Sequence, residues 1–106
     1  MATIYLNARE ANRRRGSDGE VLLGHLGRGS RGEIVRICPT PEPERGSQWA
    51  AELERRLLEI GFVEGARFEI LHEGLIGGDP IAVRIDDTRI ALRRRDAMAV
   101  VVQSDA

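Results

Sequence analysis

Apolar positions between residues 79 and 103 recur with a period of two. Ile81, Val83 and Ile85 alternate with Ala82 and Arg84, and after Asp86-Asp87-Thr88 the alternation resumes as Ile90 and Leu92 against Arg89 and Ala91. Successive side chains of a strand point to opposite faces, so this predicts two strands joined by a short polar turn, aliphatics inward and arginines outward. Arg93-Arg94-Arg95 follows the second strand and reads as a solvated rim, where long cationic side chains cost little. A single helical turn over 94–97 then precedes a last strand from Ala99 to Gln103.

Upstream, "SQWAAELERRLLEIGF" changes the period to that of a helix over 47–60. Trp49, Leu53, Leu57 and Ile60 form one stripe along it. Ser47 is the expected N-cap. Gly61 supplies the left-handed residue that ends the helix, and Phe62 folds back onto Leu57 in a Schellman cap. A Glu64-Gly65 turn and a strand from Arg67 to His72 come next, and the loop "EGLIGGDP" leads into the two alternating strands.

Before the helix, "VLLGHLGRGSRGEIVRICP" contains an apolar patch, a glycine-spaced loop and a strand from Glu33 to Cys38, stopped by Pro39. Pro39, Pro41 and Pro43 make residues 39–46 a stiff extended connection. Residues 1–20 are polar and read as a flexible arm, with "TIYL" as a candidate edge strand. The folded domain is expected over 21–106. Five short strands and one helix are too few for a sandwich and suit a small, partly open β-barrel, whose curled sheet protects its edges.

Composition narrows the function. A chain of 106 residues has room for one modest core. Its 16 basic residues, all arginine, face 17 acidic ones, giving a net charge of −1. Nucleic-acid binders are usually net basic, so the balance argues against that class. Cys38 is the lone cysteine, so no internal disulfide forms. No apolar run approaches the roughly 20 residues that cross a bilayer. The start of the chain lacks the apolar segment of a secretory signal, so the expected location is the cytoplasm.

Motif chemistry is sparse. Gly27, Gly29 and Gly32 spell G-x-G-x-x-G, but a dinucleotide site needs that motif between a strand and a helix, and here it precedes a strand. It reads as a glycine-rich turn. "GLIGGDP" is not followed by the Lys-Ser or Lys-Thr of a phosphate loop. Cys38, His25, His72, Glu69 and Glu73 lack structural zinc spacing, so neither a metal site nor a cofactor is predicted. No Ser or Cys stands with a base and its orienting group, so no catalytic residue is assigned and the chain is not read as an enzyme. Leu75 and Ile76 are bulky aliphatics on a glycine-flanked loop. They either cover one end of the barrel or form a partner-binding patch. In the second case Gly77 and Gly78 let the loop fit closely, and Asp79 or Arg84 sets register.

Three segments carry a family resemblance: "LLEIGFVEGARFEIL", "GGDPIAVRI" and "RIALRRRDAMAVVV". Their order and spacing resemble the ferrous iron transport protein A (FeoA) family, and "LGRGSRGEIVRI" resembles that family's first strand. The likeness covers about residues 22–103. It implies an SH3-like barrel with helical decoration. It also implies a small cytoplasmic accessory protein of bacterial ferrous iron uptake, acting with FeoB, a membrane permease with a cytosolic GTP-binding domain. Arg93 and Arg94 match the family's strand-end arginines. Asp86-Asp87 stand where many relatives have glycine. Direct membrane insertion is not expected, peripheral association through the permease is, and self-association is left open. Two other classes are weighed: a nucleic-acid-binding barrel using Arg84, Arg89 and Arg93 to Arg95, and a ferrous iron carrier using His72.

Overall fold

The computed structural model describes residues 19–39 and 46–105. Residues 1–18 of the expected arm, with its "TIYL" segment, and most of the proline-spaced connection lie outside these residues. Among the described residues six strands form one antiparallel sheet: β1 (Glu20–Leu22), β2 (Arg31–Ile37), β3 (Arg67–Ile76), β4 (Asp79–Ile85), β5 (Thr88–Leu92) and β6 (Val100–Ser104). The helices are α1 (Gly46–Ile60) and the single turn α2 (Arg94–Ala97), with a 3-10 turn at Leu23–His25. The strand order is β1-β6-β2-β3-β4-β5, so the sheet curls without closing.

The core follows the alternation. Ile81, Val83 and Ile85 of β4 are buried with Phe68 and Ile70 of β3, Ile34 of β2 and Val100 and Val102 of β6. Three register shifts each place one extra residue in a strand, between Ile34 and Arg36, Ile70 and His72, and Glu73 and Ile76. Such bulges bend a strand and raise its twist, which curls a six-stranded sheet into a barrel-like shape.

Helix α1 ends as expected. Gly61 adopts φ +127°, its N–H donates to Leu58 O at 3.1 Å, and the Phe62 N–H donates to Leu57 O at 3.0 Å. These are the two bonds of a Schellman motif. Leu53, Leu57 and Phe62 are buried in the core. The expected stripe is corrected at its end, because Ile60 is 37% exposed while Ala50 is buried. The contact face turns through Ala50, Leu53 and Leu57, and Ile60 lies at its border. The helix begins at Gly46, so Ser47 lies within its first turn rather than ahead of it.

Other expectations change. The start of the apolar patch, Val21 and Leu22, is a strand that also takes in Glu20 from the expected arm. It pairs with β6 from Glu20↔Gln103 to Leu22↔Val101, making six strands among the described residues where five were expected. Gly32 belongs to β2, not to a turn, and is buried. A Cβ there would collide with the Gln103 carbonyl oxygen, so glycine allows β6 to approach. β3 runs four residues beyond His72, so the loop expected over 73–80 does not exist.

Candidate functional site

The β3–β4 connection is a tight hairpin. Ile76 pairs with Asp79, leaving Gly77 and Gly78 as a two-residue turn with φ of +66° and +74°. Positive φ at both central residues defines the type I′ turn that suits strand twist, and glycine adopts it without strain. Gly74, at the bulge before it, has no room for a side chain, because a Cβ would strike the Asp79 carbonyl oxygen.

Leu75 and Ile76 therefore sit on the end of a strand. They are 102% and 85% exposed. That degree of exposure removes the reading in which they cover the barrel end. Two adjacent fully exposed aliphatics, on a short rigid hairpin, form a protruding apolar point.

Arg94 pins this point to the body. Its Nε–H donates to Gly78 O at 2.8 Å, one terminal nitrogen donates to Gly24 O at 3.0 Å and Leu26 O at 2.7 Å, and the other to Glu73 Oε1 at 2.9 Å. Glu73 Oε2 also accepts the Arg28 N–H at 2.8 Å. One guanidinium thus joins the 3-10 turn, β3 and the hairpin turn. The planar five-donor fork of arginine makes this possible; lysine cannot reproduce it. This corrects the expectation that residues 93–95 form a uniform solvated rim. Arg93 and Arg95 are exposed, but the Arg94 side chain is only 22% exposed and is internally bonded.

The predicted site residues separate into two groups. Leu75, Ile76, Gly77, Gly78 and Asp79 meet at the hairpin. Asp79 faces inward chemically, since its Oδ1 accepts the Arg94 N–H at 2.9 Å and so holds the start of α2. Arg84 does not join them. It lies five residues farther along β4, roughly 17 Å away, and pairs with Glu69 Oε1 at 2.7 Å. Alternation placed Arg84 on the outer face correctly, but proximity in sequence did not bring it to the turn.

Of the arginines of the nucleic-acid alternative, Arg84 and Arg89 stand opposite each other on β4 and β5, but Arg84 is in an ion pair with Glu69 and Arg94 is turned inward. Arg67 is held above the ordinary arginine range by its hydrogen bond to Asp105, 2.7 Å away, and remains cationic in any case. Among the described residues no group of three or more His, Cys, Asp or Glu could hold a metal ion. Glu69 and Glu73, two candidate ligands, are occupied by Arg84 and Arg94. Among the described residues no helix is long and apolar enough to cross a membrane.

Comparison with known proteins fits this geometry. FeoA from Stenotrophomonas maltophilia, an SH3 domain protein solved as a zinc complex and put forward as a ferrous iron transport activating factor, is 27% identical. The match covers 80% of this chain and 95% of that one, with a TM-score of 0.64. FeoA from Chlorobium tepidum is 28% identical over 78% of this chain and 70% of that one, with a TM-score of 0.59. A manganese-dependent transcriptional repressor is 25% identical, with a TM-score of 0.63. There the match spans 85% of this chain but only 48% of the repressor. Comparison with curated proteins yields no match. The FeoA domain model matches residues 21–104, and with its SH3-like fold the chain belongs to the FeoA domain family.

Proposed function

We propose that this protein is a non-catalytic accessory of bacterial ferrous iron uptake. It acts in the cytoplasm by binding the membrane permease of that system, a FeoB-type protein, through the β3–β4 hairpin. The observation that carries the reading is the pair Leu75 and Ile76, fully exposed on a hairpin that Arg94 fixes to the barrel. Protein interfaces place apolar anchors at their centre and polar groups at the rim. Exposed aliphatics on a rigid support suit such an anchor, because little conformational freedom remains to be lost on binding. The names of the relatives supply the iron system, and the match over residues 21–104 supplies the family.

The test is complementation. In cells lacking the native protein, Leu75→Asp with Ile76→Asp is expected to leave the protein soluble and abundant but to abolish restoration of ferrous iron uptake. Full restoration by the double variant removes the hairpin from the function.

A further inference from the structure

Arg93 borders three adjoining clefts. One of about 260 Å³ lies between Arg93 and the hairpin residues Ile76, Asp79 and Pro80. A second of about 360 Å³ extends beneath Trp49 and Arg56. A third of about 320 Å³ lies between α1 and β5, floored by Leu53, Leu57, Ala91 and Leu92, with Arg56 and Arg93 on its walls. All share Arg93, and the last two also share Arg56 and Asp96, so they join into one furrow from the hairpin to the β5 edge.

The border of that furrow is chemically unfinished. Among the described residues β5 is the last strand of the sheet and pairs only with β4. Ile85 and Thr88 close a two-residue turn, so Thr88, Ile90 and Leu92 direct their main-chain groups toward β4. Arg89 and Ala91 direct theirs away. Among the described residues these outward groups meet no further strand. The side chains of Arg56, Arg89 and Arg93 have no hydrogen-bond or ion-pair partner among the described residues. Two acids line the furrow, and Asp79 already accepts the Arg94 N–H.

We infer that the furrow binds an extended acidic protein segment, which adds a strand to β5 and sets carboxylates against Arg93 and Arg56. An open edge supplies main-chain bonds, an apolar floor takes alternate side chains, and unpaired arginines select charge. A second copy of the chain fits poorly. Antiparallel pairing of two β5 edges would line up Arg89 and Arg93 from both, and like charges across a ladder repel. Nucleic acid is disfavoured by the apolar floor and the net charge of −1. The furrow meets the apolar hairpin anchor at Ile76, but the β5 edge and the arginines that carry this inference lie outside that hairpin, and the inference does not depend on the proposed permease contact.

The experiment uses the full chain, isotope-labelled, with three capped octapeptide probes. These are alternating Glu-Val, alternating Lys-Val, and the Glu-Val peptide with N-methylated alternate amides. Amide shifts centred on Arg89 to Arg93 with the acidic peptide alone, weakened about tenfold or more by Arg93→Glu or Arg56→Glu, are the expected result. Arg93→Glu is further expected to gain binding of the Lys-Val peptide, and N-methylation to abolish binding of the acidic one. Indifference to peptide charge, shifts that map elsewhere, or tighter binding of a single-stranded RNA octamer would each overturn the inference. So would an absence of shifts at millimolar peptide. Leu75→Ser, a neutral change at the anchor residue that does not line the furrow, is expected to leave peptide binding unchanged, which keeps this result distinct from that of the hairpin.

Discussion

At the scale of single residues, Arg94 matters more than its surroundings in the sequence suggest. It stands in a run of three arginines, and an arginine run after a strand normally faces water. Its carbonyl partners at Gly24 and Leu26 are 70 and 68 residues away, so no local pattern announces them. Removing the guanidinium leaves three carbonyl oxygens and Glu73 Oε1 without the donor it supplied. Arg94→Ala is expected to lower stability by about 2–4 kcal/mol, with Arg94→Lys recovering only part, as read from urea unfolding. Arg93→Ala is the control and should change stability by under about 0.5 kcal/mol. Equal effects at the two positions would contradict the pinning role. Leu57 lies at the opposite extreme of legibility. Its place in the helical stripe and the Schellman cap already assigned it to the core, and it is 1% exposed. Leu57→Ala is expected to cost about 2–5 kcal/mol in the same assay.

At the scale of elements, the hairpin shows where pattern reading stops. The alternation of Ile81, Val83 and Ile85 ends cleanly at Asp86, and the β4–β5 hairpin was legible for that reason. The β3–β4 hairpin was not. Gly74 and the adjoining bulge interrupt the period, and Gly77-Gly78 extended the apparent loop. A strand whose final residues are wholly exposed has no buried face to give it a period. Ile60 is the parallel case on α1, where a spacing that fits the stripe ends at the border of the contact face. The turn itself separates two causes of glycine requirement. A Cβ at Gly77 meets nothing within 4 Å, so Gly77→Ala is expected to cost only the left-handed strain, about 1–2 kcal/mol. A Cβ at Gly78 comes within 2.9 Å of Glu73 Oε1 and 3.2 Å of an Arg94 nitrogen. Gly78→Ala should therefore cost more and loosen the Arg94 network, visible as faster amide exchange at Ile76 and Asp79. A larger loss at Gly77 would refute the assignment.

At the scale of the whole molecule, a small curled sheet carries a rigid apolar point on one hairpin and an open, arginine-bordered edge on another. Fold and family were legible because the helix cap, the glycine turn and the alternating strands are local and ordered along the chain. The pinning of the site was not, since it depends on contacts between distant segments. Within that frame Leu75→Asp with Ile76→Asp should melt within a few degrees of the parent, because both side chains are already in water. The most direct measurement is equilibrium binding of the purified protein to detergent-solubilised FeoB-type permease, parent against the double variant. Binding by the parent, lost in a variant whose circular dichroism and melting are unchanged, is the predicted result. Undiminished binding by that folded variant would contradict the account.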